Sequence, residues 1–219
     1  MNKEYIFVTV SLIDELKKIN ESIKKFCNLY KVFKYVVIVP EVDISKFERK
    51  LNKYNNIEII NENDVINKSE FLKLCDANLK DKKGYSSFRK NWYYQQMIML
   101  SYTLDENYFS NNNLIIWDAD TIPLKKIKFF NQKNEPYIYG SRYEYHLPYF
   151  EFNKILFGEK NKILNHSCIV QFVSINLEDR KDMRNFFIDF NKFHNIENNK
   201  LFVANAIIKA LSLIDESLY

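Results

Sequence analysis

Two carboxylates one residue apart, Asp118 and Asp120, close the segment Leu114-Ile115-Ile116-Trp117-Asp118-Ala119-Asp120-Thr121. The apolar run before them is too short for a helix and rich in β-branched and aromatic side chains, so it reads as a buried strand. Residues i and i+2 of a strand point to the same side, which would aim both carboxylates at one spot beyond the strand's carboxyl end. Two like charges about 5 Å apart repel by roughly 3 kcal/mol at an effective dielectric near 20, so the pair needs a cation or a shared proton. Hard oxygen ligands favour Mg²⁺ or Mn²⁺ over zinc. The alternative is a solvated turn in which the two Asp cap the next segment. Roughly one chance D-x-D is expected in a chain this long, so the weight lies in the strand before it.

A second group that could do chemistry lies ahead of the pair. After Gly84, Ser86 or Ser87 can cap a helix running to Leu104, with Tyr93, Met97, Leu100 and Leu104 as its core stripe. Arg89, Trp92 and Gln96 fall on an adjoining stripe. A cation, an indole and an amide there suit a phosphate and a sugar or base; a surface ion pair and a core Trp are the plainer reading. Downstream, Lys125-Lys126-Ile127-Lys128 adds local positive charge. Arg142-Tyr143-Glu144-Tyr145-His146-Leu147-Pro148-Tyr149-Phe150 reads as an aromatic loop or flap, able to form an acceptor pocket or a second small core.

The elements that must position these groups alternate. Tyr5 to Val10, Tyr35 to Val39, and Ile57 to Ile60 read as strands. Leu12, Leu16, Ile19, Ile23 and Phe26 form one helical face, opened by a capping pattern at Ser11 and Asp14. A shorter helix carries Phe47, Leu51 and Tyr54 after a second capping pattern at Ser45 and Glu48. Such alternation predicts a mostly parallel sheet with helices on its faces, binding ligands at the carboxyl ends of its strands. Thr9 and Ser11, Pro40 and Glu41, and Asn61 and Asp64 would rim one crevice with the Asp pair. Tyr137 to Gly140 reads as a strand, as does Cys168 to Ile175, entered by Asn165-His166-Ser167. Two helices follow, one with Met183, Phe186, Phe187, Phe190 and Phe193, the other with Val203, Ile207, Ala210 and Leu211.

Composition excludes several classes. The 219 residues are 47% apolar, enough for one α/β domain with a sizeable core. A net charge of +4 is too mild to imply nucleic acid, though adequate for an anionic membrane surface or a phosphorylated ligand. Only Gly84, Gly140 and Gly158 are glycines, which excludes both the dinucleotide-binding G-x-G-x-x-G and the G-x-x-x-x-G-K-[ST] loop. A phosphorylated ligand would have to be met by a metal and cationic side chains. Cys27, Cys75 and Cys168 suggest neither a disulfide framework nor a zinc site and fit a reduced, cytoplasmic setting. No signal peptide or spanning segment is evident, so membrane contact would be peripheral, at the cytoplasmic face of the inner membrane.

With Trp117-Asp118-Ala119-Asp120 after its strand, the element order from Tyr5 to Leu124, and the helix Arg89-Lys90-Asn91-Trp92-Tyr93-Tyr94-Gln95-Gln96 ahead of it, the chain resembles the GT-A glycosyltransferases. It is similar in particular to bacterial transferases of surface polysaccharides such as capsule and lipooligosaccharide. The resemblance implies an α/β three-layer sandwich with a mostly parallel central sheet. It further implies a nucleotide-sugar-binding half over residues 1–124 and an acceptor-side half over 125–219, the latter stopping short of a further segment. Thr9 and Ser11 would meet the nucleotide, Arg89 the phosphates, Asp118 and Asp120 a Mn or Mg ion, with Trp92, Gln96 and Trp117 also at the donor. His166 is the candidate for a late metal ligand. Glu144, His146 and Glu151 are candidates for the base that an inverting enzyme needs. The donor would be a nucleotide-diphosphate sugar and the acceptor a glycan or lipid-linked glycan.

Two rivals stand beside this. In a haloacid-dehalogenase phosphatase Asp118 would be the nucleophile and Asp120 the acid/base, although that motif normally lies near the start of its core. A non-catalytic module of the same fold is the other.

Overall fold

The computed structural model describes residues 4–80, 87–142, 147–158, 166–167, 171–197 and 199–213. In chain order the elements are β1 (Tyr5–Val10), α1 (Leu16–Leu29), β2 (Val32–Val39), α2 (Ile44–Leu51), β3 (Ile57–Asn61), α3 (Glu62–Val65), α4 (Lys68–Leu79), α5 (Ser87–Leu104) and β4 (Asn113–Trp117). They continue with β5 (Ser141–Arg142), α6 (Leu147–Phe157), β6 (His166–Ser167), β7 (Phe172–Ile175), α7 (Leu177–Phe193) and α8 (Phe202–Ser212). Five strands form one sheet in the order β3-β2-β1-β4-β7, and β5 pairs with β6 in a separate two-stranded piece. The first four strands are parallel and β7 runs antiparallel to β4.

Side chains alternate across the strands and so feed two cores. Ile6, Val8, Val10, Ile38 and Leu114 pack with α4, α5 and α8 on one face. Phe7, Tyr35, Val37, Ile115 and Trp117 pack with α1 and α2 on the other. The architecture is therefore an α/β three-layer sandwich on a mostly parallel sheet, as the alternation of elements predicted.

Several local expectations differ from what the chain does. Ser11 does not cap a helix: its hydroxyl donates to the Leu12 carbonyl, and a turn over Ile13–Glu15 precedes α1. Asp43, not Ser45, sits at the start of α2, and Tyr54 lies beyond that helix. Residues 137–140 are not a strand. There the chain makes one bridge, Phe130 to Pro136, and the Tyr137 N–H donates to the Phe129 carbonyl at 2.9 Å. The flap reading fails over 147–150, which begin α6: Pro148 sits in a first turn, where a missing N–H costs nothing. The late strand is Phe172–Ile175, and Cys168 lies outside the described residues. No described helix is long and apolar enough to cross a membrane.

Candidate functional site

In parallel strands the carboxyl ends share an edge, and here Ser11, Pro40 and Asp118 follow β1, β2 and β4, and Asn61 ends β3, on that edge. The strand reading of the Asp pair needs correction. β4 ends at Trp117, and the next residues turn: the Thr121 N–H donates to the Asp118 carbonyl at 3.1 Å. The pair is thus presented by a turn rather than by strand alternation.

That turn is fastened from three sides. The Trp117 indole N–H donates to the Thr121 carbonyl at 2.8 Å, and the Ser22 hydroxyl of α1 reaches the same oxygen at 3.2 Å. The Asp118 N–H donates to the carbonyl of Gln171, just ahead of β7, at 2.9 Å. Trp117 itself is 2% exposed, edge-on to Phe26 and stacked on Phe172, so its ring braces the turn and cannot stack on a ligand.

The electrostatics suit a cation. Burial, and then the neighbouring Asp120, hold the Asp118 carboxyl above its ordinary range. Asp120 is exposed and accepts a hydrogen bond from the Thr121 hydroxyl at 3.3 Å. Lys18 on α1 is bound to Glu15 at 2.9 Å, which is the main cause of its raised pKa, and Asp120 adds to it. Nothing in the sequence flagged Lys18, because the proximity arises only when α1 packs beside the turn. Two carboxylates, one disfavoured as a bare charge, fit a hard divalent ion that takes its remaining ligands from water or a bound phosphate. Among the described residues no cluster of three His, Cys, Asp or Glu forms.

The other expected site residues separate. Thr9 is fully buried, its hydroxyl without a hydrogen-bond partner, because position 9 alternates inward with Phe7. Ser11 is 4% exposed. Both are therefore closed to a ligand in this conformation. On α5, Trp92 is 46% exposed with its edge against Tyr93 at 5.2 Å, and Gln96 is half-buried. The Tyr94 hydroxyl donates to the Ile66 carbonyl at 2.8 Å, which places that half of α5 beside the carboxyl edge of β3. Arg89 lies on α5 and Glu151 on α6, with side chains outside the description; His166 is in β6 with the same limit. Glu144 and His146 lie outside the described residues.

A cleft of about 700 Å³ opens beside the ends of β2 and β3, lined by Glu41, Asn63, Asn67, Lys68, Lys73 and Asp76 among others. Neither Asp118 nor Asp120 lines it. Next to it the nearly buried Glu62 faces Lys68 at 3.7 Å. Burial raises its pKa, and Lys68 pulls back. The sequence reading missed α4 and this cleft. The signal was there, an Asn67-x-x-Glu70 start in which the Asn67 side chain accepts the Glu70 N–H at 3.0 Å.

A family model described as a family of unknown function, DUF6492, matches residues 13–168. No curated protein sequence matches the chain. Among solved structures, the apo form of mouse xyloside xylosyltransferase 1 is similar with a TM-score of 0.43 at 8% identity, over 97% of this chain and 83% of that one. The galactosyltransferase LgtC, solved with donor and acceptor sugar analogs, gives 0.43 at 10% identity over 95% and 70%. The 4-diphosphocytidyl-2C-methyl-D-erythritol synthase of Anaerococcus prevotii gives 0.38 at 8% identity over 95% and 97%.

Proposed function

We propose that this chain, which belongs to the DUF6492 family, is a metal-dependent glycosyltransferase that moves a sugar from a nucleotide-diphosphate donor to a surface glycan. The observation that carries the reading is the acidic turn. Asp118 and Asp120 stand together at the carboxyl edge of a mostly parallel sheet, fastened through Trp117, Ser22 and Gln171, in a chain without a glycine phosphate loop.

In this reading Asp118 and Asp120 would hold the divalent ion, which would supply positive charge against the developing charge of the nucleoside diphosphate. The protein's own part is to keep both oxygens in register, since a loose turn would lose the pair's joint affinity. Lys18, ion-paired with Glu15 and within the field of Asp120, is a further candidate for an outer phosphate oxygen. Arg89, Trp92 and Gln96 on α5 are the proposed contacts for the rest of the donor. Glu144, His146 and Glu151 stay the candidates for a base, which a retaining reaction would not need.

Thermal-shift measurement with UDP, GDP and CMP, each with Mn²⁺, tests the donor site. One nucleotide should stabilise the protein only with metal, and Asp118→Ala should abolish that shift. No stabilisation by any of them, or a shift that survives Asp118→Ala, would sink the proposal. Slow metal-dependent donor hydrolysis would then separate an enzyme from an inert module of the same fold.

A further inference from the structure

The stretch after the acidic turn holds charge and exposed apolar area that the donor site does not use. Between Thr121 and Tyr139 stand Lys125, Lys126, Lys128 and Lys133 against the single carboxylate Glu135, so this segment supplies most of the chain's net charge of +4. All four lysines are exposed. Among them Leu124 is 89% and Ile138 77% exposed, with Tyr137 and Tyr139 also at the surface. The two arms lie side by side. The Tyr137 N–H bonds to the Phe129 carbonyl, the Tyr139 hydroxyl donates to the Lys128 carbonyl at 2.7 Å, and Asn134 turns the chain at φ 68°.

The strip is firmly mounted. Phe129 is buried against Tyr5, Tyr30 and Phe172, so the exposed side chains project from a packed aromatic base. A single exposed Leu is ordinary, but large aliphatics, tyrosines and lysines in one strip have the composition of a membrane-interface anchor.

We infer that this strip docks on an anionic lipid surface. Leu124 and Ile138 enter the acyl boundary, the tyrosines sit at headgroup level, and the lysines meet phosphate oxygens. Charge complementarity selects the occupant, because four lysines beside one carboxylate match a uniformly negative plane. The strip starts directly after Asp120, so docking brings the acidic turn to the membrane surface. The inference does not depend on sugar transfer.

Sedimentation of the full chain with vesicles of phosphatidylglycerol and phosphatidylcholine, against phosphatidylcholine alone, checks it. The anionic vesicles should carry the protein down and release it as salt rises. Each Lys→Ala change in the strip should weaken binding roughly fivefold. Leu124→Asp with Ile138→Asp should lower it at least roughly tenfold while leaving the thermal midpoint unchanged. Lys181→Ala with Lys200→Ala, outside the strip, should leave binding intact. Absence of sedimentation with anionic vesicles, or equal loss from the outside pair, overturns the proposal. So does binding indifferent to the two Asp substitutions, which would mark a plain site for acidic proteins or other polyanions.

Discussion

Asp118 carries its charge in surroundings that disfavour it, since both burial and Asp120 raise its pKa. Asp118→Asn should therefore raise the stability of the metal-free protein near neutral pH in chemical denaturation. The same change should remove any Mn²⁺-dependent stabilisation; a destabilised variant would show that the carboxylate has structural partners instead. Trp117→Phe keeps the ring packing but loses the N–H to the Thr121 carbonyl, a change expected to cost about 1–2 kcal/mol. It should also weaken Mn²⁺ affinity in calorimetric titration, and unchanged affinity would mean the turn holds without the indole. Glu62 gives a pH signature. Its raised pKa means the folded state binds the proton more tightly, so its contribution is present at low pH and is lost as pH rises through the raised value. Glu62→Gln should flatten the part of the stability profile just above the ordinary carboxylate range in urea titrations. Parallel profiles for the two proteins would assign the slope to other groups. At this scale the chemistry proposed for the Asp pair rests on residue type and spacing. A turn there was the alternative reading of the sequence, but its fastening was not legible, because the bonds come from Ser22 and Gln171, far away in sequence.

The elements were legible wherever one face alone is buried. α1 shows this: Ile19, Ile23 and Phe26 are buried, and the spacing of threes and fours was visible. α5 shows the opposite. It lies between the sheet and α4, α7 and α8, so Tyr94, Met97, Ile98, Met99, Tyr102 and Leu104 are all buried and no single stripe stands out. The expected Tyr93 and Leu100 are only half-buried. α4 was passed over although its cap is clear, and Asn67→Ala should cost about 1 kcal/mol by loss of the bond to the Glu70 N–H. A loss much below that, read from urea midpoints at constant slope, would mean water replaces the side chain there. α6 was hidden by Pro148, a residue that ends helices from within but starts them readily.

At the scale of the whole molecule, α7 is tied to the end of α5 and the segment after it by a buried cation that no periodicity could reveal. Arg180, fully buried at the start of α7, donates to the Thr103 carbonyl at 2.7 Å and the Tyr108 carbonyl at 3.2 Å, and lies 4.4 Å over the Phe109 ring. Burial lowers its pKa to about 10. The guanidinium thereby satisfies a carbonyl in the last turn of α5, where a positive charge is also favoured by the helix dipole. Arg180→Ala should cost about 3 kcal/mol through unsatisfied carbonyls and a cavity, measurable in urea. A loss under about 1 kcal/mol would show that water takes over both carbonyls.

The bond from Asp118 to Gln171 ties the acidic turn to a partner about fifty residues further along the chain. During synthesis on a ribosome, the acidic turn emerges well before the peptide group that holds it, and β4 waits equally long for β7 to cover its open edge. The nascent chain therefore carries an uncovered sheet margin through that interval, and the acidic turn gains its last fastening only once Gln171 has been made.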